Sequence, residues 1–239
     1  MKYTPWLFTL NANAQGLVFM IMDVVYSFAS KLKYRREIFE LSDGGELALD
    51  WVVHPTDEAN SASSQTVQRP IIVFVPGISG DSSILYCKSM AYTCLEKNFD
   101  MVVVNYRGMA QVPLKTAKVY NSADYKDLSE VIEYLYAEHC LTKTTDGKPD
   151  KQTRRLFGVG VSMGSSVLGI YAAELGEKSR LDACVGVGCH FDMNLAFAYL
   201  TTNLFGFYDY VIGIGLALSA APIYEQYDRL VAKKHPELV

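Results

Sequence analysis

Residues 156–167 read LFGVGVSMGSSV, an apolar run that breaks on a serine, Ser162, flanked by Gly160 and Gly164. A serine hydroxyl becomes a useful nucleophile when a sharp turn lifts it clear of a sheet edge, and glycines two residues before and after it allow such a turn. By composition alone Gly-x-Ser-x-Gly arises in roughly one chain in ten of this length, so its setting has to decide its meaning. Here the setting is a buried strand followed by small residues opening a helix. A second stretch, VPGISGDSS at residues 75–83, closes another apolar strand. Attack on a carbonyl needs backbone N–H groups to hold the developing oxyanion, one of them from the residue after the nucleophile. Ile78 and Met163 are the candidate donors. Taken alone, the glycines of the first loop read equally as a plain turn; paired with the serine at another strand end, they read as an oxyanion hole.

The elements that would carry these groups follow from the hydrophobic pattern. REIFELSDGGELALDWVVHP, from residue 36, holds two alternating runs around Ser42, Asp43, Gly44 and Gly45, the signature of a β-hairpin. RPIIVFVPG is a continuous β-branched strand, as expected of one buried on both faces. A helix over 82–97, a strand over 101–104, a helix over 124–139, a strand over 155–161, a helix after Ser162 and a strand over 183–189 follow in turn. Polar loops fall at 57–68 and around Asp146, Gly147, Lys148 and Pro149. Alternating strands and helices predict one α/β domain with a mostly parallel sheet, an N-terminal hairpin, helices on both faces, and ligands beyond the carboxyl ends of the strands.

Several classes of function fit poorly. The 239 residues carry a formal net charge of -4, with no basic excess to neutralise a phosphate backbone, so no nucleic-acid partner is expected. Gly158 and Gly160 begin a dinucleotide-type fingerprint, but Met163 stands where the third glycine belongs. GISGDSS lacks the lysine of a phosphate-binding loop. The five cysteines, Cys87, Cys94, Cys140, Cys184 and Cys189, are scattered without zinc spacing, which predicts no metal site and fits an intracellular, reducing setting.

On these motifs the sequence resembles the α/β-hydrolase fold, and within it the abhydrolase-domain lipid esterases. The resemblance covers residues 34 to about 192 and rests on YRREIFELSDGGELALDW, VPGISGDSS, VVVNYRGMAQVP, DYKDLSEVIEYL and GVSMGSSVLGIYAAELG, in family order. It implies attack by Ser162 on a carboxylic ester, an acyl-enzyme, and hydrolysis or acyl transfer, with no cofactor. The implied substrates are acylglycerols, phospholipids or short-to-medium acyl esters. Pro76-Gly77 stands where the family usually has His-Gly, a change that leaves a backbone donor intact. Asn105 to Gly108, NYRG, reads more readily as a structural turn than as part of a site.

The base and acid are harder to assign. In this fold the order is nucleophile, acid, histidine, and only His190 and His235 follow Ser162. His190 closes the 183–189 strand, a position that more often packs than catalyses, and His235 lies in a charged tail. Asp192 is a candidate acid, although in the family that aspartate belongs to a structural turn. The pattern divides the chain into an apolar arm at 1–33, a hydrolase core at 34–192, and cap helices with a charged tail at 193–239, the last strands of the fold being expected to be missing. The run at 15–30 reads either as a helix or extended arm packed on the domain or as a contact with a membrane surface, peripheral or single-pass; the run at 210–221 falls where the resemblance implies helices inserted over the active site, and reads as an acyl-channel wall, a lipid contact or a core helix. The rival reading is a catalytically incomplete fragment, or a pseudoenzyme that binds lipid or a protein partner. No oligomeric state is specified.

Overall fold

The computed structural model describes residues 30–55, 68–142, 151–202 and 206–234, with isolated positions between 14 and 25. Most of the N-terminal apolar arm, the polar loop after residue 55 and His235 lie outside the described residues. Strands β1 (Tyr34–Glu40) and β2 (Glu46–Val52) form the hairpin, and the Leu41 amide donates to the Gly45 carbonyl at 2.8 Å to close its turn. Then come β3 (Ile71–Val75), α1 (Leu85–Glu96), β4 (Asp100–Asn105) and α2 (Lys126–Leu135). The short β5 (Leu141–Thr142) and β6 (Lys151–Gln152) pair with each other, and β7 (Leu156–Val161), α3 (Met163–Leu175) and β8 (Ala183–Val187) follow. Two helices end the described chain, α4 (Met193–Thr202) and α5 (Phe207–Lys234).

Six strands make one sheet in the order β1-β2-β4-β3-β7-β8. The first three pair antiparallel, and β4, β3, β7 and β8 run parallel. The crossover from β3 through α1 to β4, and the jump from β4 across β3 to β7, bring the carboxyl ends of β3 and β7 side by side. This is the switch point at which an open α/β sheet makes its crevice. One face of the sheet buries Val73, Val75, Val102 and Val104 against Leu128, Val131 and Ile132 of α2 and Val167, Leu168 and Tyr171 of α3. The other buries Ile72, Phe74, Met101 and Val103 against Cys87, Ala91 and Cys94 of α1. Helices therefore cover both faces, as the continuous apolar strands require.

Local chemistry shifts two helix boundaries. The helix expected from Ser82 begins at Leu85 because Ser82 and Ser83 are held in a turn: the Ser82 hydroxyl donates to Asp50 at 2.6 Å and the Ser83 amide to Asp81 at 2.8 Å. The helix expected to reach residue 139 gives way at Tyr136–Cys140 to a π-helical turn, which leads into β5. The polar loop around Asp146 falls between β5 and β6 and lies outside the described residues.

Two charged networks brace the sheet. Asp50, fully buried in β2, accepts two bonds from Arg36 at 2.7 Å, one from Ser82 and one from Asn105 at 2.9 Å. Burial pushes the Asp50 carboxyl up, and the bonds from Arg36 and Ser82 outweigh that and hold it below the ordinary aspartate range. Arg107, 2% exposed, bonds Asp127 at the start of α2, Asp43 in the hairpin turn at 2.9 Å and Thr116 at 3.1 Å. The NYRG segment is thus a structural clasp joining hairpin, sheet and α2.

At the far edge the cover thins. Among the described residues β8 pairs only with β7, and Val185 and Val187 are exposed. Helix α4 carries exposed Leu195, Phe197 and Tyr199. The second half of α5 packs on the core through Ile223, Tyr227 and Leu230, whereas its first half exposes Tyr210, Ile214 and Leu218. No helix among the described residues is long and apolar enough to cross a membrane, which leaves the single-pass expectation without support.

Candidate active site

Ser162 forms the corner between β7 and α3. Its backbone sits at φ 52, ψ -120, a region that costs a non-glycine residue about 1–3 kcal/mol and persists only where the surroundings impose it. The imposing contacts are visible. The Ser162 amide donates to the Val187 carbonyl at 2.8 Å, and its own carbonyl accepts from the Ser165 amide at 2.9 Å and from the Ser165 hydroxyl. A side chain at Gly160 would come within 2.4 Å of the Gly164 carbonyl oxygen, and one at Gly164 within 2.1 Å of the Val75 carbonyl oxygen. The two glycines let α3 start directly against the ends of β7 and β3.

That close approach brings the second loop to the serine. A β-carbon at Gly77 would lie 3.2 Å from Ser162 Cβ, so the 76–80 loop borders the hydroxyl. The loop is pinned from two sides: the Gly77 amide donates to the Tyr86 hydroxyl at 2.9 Å, and the Tyr106 hydroxyl donates to the Pro76 carbonyl at 2.8 Å. Burial raises the Tyr106 phenol well above its ordinary range, so it stays a donor. The amides of Ile78 and Met163 donate no hydrogen bond within the described structure. Two unused N–H groups thus flank the strained serine, one in the 76–80 loop and one at the first residue of α3, the two elements from which an oxyanion hole would draw its donors.

Ile78 and Ser79 also line a cavity of about 310 Å³ with Val119, Tyr120, Leu216 and Ile223, roofed by α5. The resemblance set 210–221 over the site, where Leu216, Ala217 and Ala220 of that stretch line this cavity, but sequence reasoning gave no role to the Tyr86 or Tyr106 hydroxyl. The tyrosines could have been flagged as residues able to supply buried hydroxyls, but nothing local says which carbonyl or amide they reach.

The candidate acid and base are placed differently. The Asp192 carboxylate accepts from the Leu195 amide at 2.9 Å, which makes it the N-cap of α4, the structural turn that the resemblance implied. His190 follows β8 with its Nδ1 buried and without a hydrogen-bond partner. Among the described residues no hydrogen bond joins Ser162 Oγ to His190, Asp192 or any other side chain. His54 and His139 line a separate pocket with Arg69, Asp100 and Arg154, at the opposite ends of the strands. Cys94 and Cys140 offer no competing nucleophile, since burial pushes their thiols up to about 12 and about 11. No group of three or more metal-ligating side chains occurs among the described residues.

The strand order, the crossover helices and the strained serine at the β7–α3 turn define an α/β-hydrolase fold. An esterase of Pyrococcus furiosus superimposes with a TM-score of 0.52 over 82% of this chain and 62% of that one, at 14% identity. Mouse phospholipase ABHD3 is 32% identical over 153 residues, 64% of this chain and 33% of its own. An abhydrolase domain-containing protein of Dictyostelium discoideum is 31% identical over 204 residues, 82% of this chain and 45% of its own. No family model matches the chain. It spans a third to under half the length of these curated relatives. The chain belongs to the AB hydrolase family.

Proposed function

We propose that the chain carries the nucleophile half of a serine hydrolase acting on carboxylic esters, with lipid acyl esters as the substrate class. The observation that carries this reading is the backbone of Ser162 at φ 52, between the 76–80 loop and the start of α3, whose Ile78 and Met163 amides are unused. Ser162 Oγ attacks the ester carbonyl, the amides hold the tetrahedral oxyanion, the alcohol leaves, and water or a second alcohol releases the acyl group. The named activity of the mouse relative and the apolar walls of the cavity beside Ile78 support an acylglycerol, phospholipid or short-to-medium acyl ester. No cofactor is required by this chemistry. A fluorophosphonate probe tests the reading: it labels the wild-type chain at Ser162 and leaves a folded Ser162→Ala variant unlabelled, and equal labelling of the two overturns it.

A second reading has its own observation. Ser162 Oγ has no histidine partner among the described residues, and the β8 edge with α4 and the first half of α5 presents an apolar surface. A catalytically incomplete fragment or pseudoenzyme that holds lipid, a membrane surface or a protein partner fits those features. It is favoured if the folded chain binds acyl ligands but takes up no phosphonate.

A further inference from the structure

Ser79, next to the candidate donor Ile78, holds φ 57, a left-handed conformation that non-glycine residues rarely adopt. Its side chain explains how it is kept there. Ser79 Oγ lies 2.7 Å from Ser219 Oγ, which belongs to α5, 140 residues later in the chain. The Ser219 hydroxyl donates its proton to the Leu216 carbonyl at 3.1 Å, so Ser79 is the donor to Ser219 and each hydroxyl is used. Both residues are partly buried; Ser79 lines the 310 Å³ cavity, and Ser219 lies on α5 between the lining residues Ala217 and Ala220. On the opposite side the loop is fixed by Tyr86 on the Gly77 amide, and within it the Gly80 amide donates to the Gly77 carbonyl at 3.0 Å. Ile78 therefore sits between a clamp on α1 and a clamp on α5.

We propose that Ser219 is a positioning residue for the oxyanion loop: its hydroxyl holds Ser79 in the left-handed conformation and so sets the direction of the Ile78 amide. The docking of α5, which roofs the cavity, is thereby tied to the geometry of the hole. A ligand that lifts α5 loosens the loop, and one that fills the cavity beneath a seated α5 meets a formed donor. The proposal rests on the hydrolase reading for its catalytic consequence, whereas its structural content stands apart.

The test uses the full chain with Ser219→Ala, Ser219→Thr, Ser79→Ala and the double variant. Amide exchange at Gly80 is expected to quicken roughly fivefold in Ser219→Ala and in Ser79→Ala, the population shift that the net worth of one such hydrogen bond allows. The double variant adds nothing further, because both single changes remove the same bond. The maximal rate of phosphonate labelling falls about tenfold, less than the 10² to 10³ that losing an oxyanion donor costs, while the concentration for half-maximal rate stays unchanged. Ser219→Thr, which keeps a hydroxyl, restores both. Unchanged Gly80 exchange in both single variants, additive effects in the double variant, or a labelling loss that Thr does not rescue overturns the proposal. If the wild type takes up no phosphonate, the hydrolase reading fails, and Gly80 exchange still decides the clamp.

Discussion

Replacing Gly164 by alanine puts one methyl group between α3 and the end of β3. Its β-carbon would lie 2.1 Å from the Val75 carbonyl oxygen, at the end of β3, and 2.4 Å from the Pro76 carbonyl oxygen, in the loop that follows, both of them backbone atoms. Neither can rotate away. The helix start has to retreat by about 1.3 Å to reach ordinary contact, which places the cost at or above the usual ~1–3 kcal/mol of overpacking. At a cost of about 3 kcal/mol and roughly 2–4 °C per kcal/mol for a domain of this size, the melting temperature falls by about 6–12 °C. Gly169, five residues further along the same helix, is the control: it is exposed and a methyl there meets nothing within 4 Å. Gly169→Ala should raise stability by about 0.5–1 kcal/mol through the helix preference for alanine. Thermal melts of the three proteins, followed by phosphonate labelling below the lowest transition, read both effects. Gly164→Ala is expected to melt lower and label poorly, Gly169→Ala to melt higher and label normally. Shifts of the same sign and size in both variants would refute the claim that α3 seats directly on the β3 carboxyl end.

Further expectations follow from the buried polar groups. Arg107→Ala removes the buried guanidinium that joins Asp127 to Asp43, while Asp127 keeps Lys118 at 2.9 Å and Asp43 keeps the Gly45 amide, and should destabilise by about 1.5–3 kcal/mol, measured by urea unfolding; a change under about 0.5 kcal/mol would show that the clasp carries nothing. The folded Asp50 carboxyl titrates below the unfolded value of about 3.9, so its contribution is complete above that value and is lost as the pH falls through the folded one. Asp50→Asn should therefore flatten the acid limb of the stability curve, and an unaltered limb argues against it. Ester turnover by residues 1–239 is expected to be slow, because Ser162 Oγ has no hydrogen-bonded base among the described residues and removing a triad partner costs on the order of 10⁴ to 10⁶. Robust hydrolysis abolished by His190→Ala would instead identify His190 as the base. Co-sedimentation with neutral phospholipid vesicles tests the exposed apolar side of α4 and α5, and a chain that stays wholly in the supernatant rules out that contact.

What the sequence determined by itself is what short-range physics controls. Period-two alternation around Ser42 to Gly45 specified the hairpin, continuous apolar runs rich in Ile and Val specified β3 and β4, the apolar run LFGVGV specified β7, and glycines two residues either side of Ser162 specified a turn that only small residues permit. Asp50 lies buried inside the apolar run LALDWV, and the alternation that marked the hairpin named neither that burial nor the partners it needs. The partners came from far along the chain: Arg36 across the hairpin, Ser82 before α1 and Asn105 at the end of β4. The same holds at the candidate site. Ile78 and Met163 could be named as candidates because backbone donors depend on position in a turn and not on side-chain type. Tyr86, Tyr106 and Ser219 were not legible, since a hydroxyl's partner is fixed by how helices and strands pack after 9, 30 and 140 residues of intervening separation. Only the tertiary structure decided that Asp192 caps a helix, that Arg107 clasps the hairpin, and that α5 touches the loop that would hold an oxyanion. Periodicity records which face of an element is buried; it carries no record of what the face is buried against.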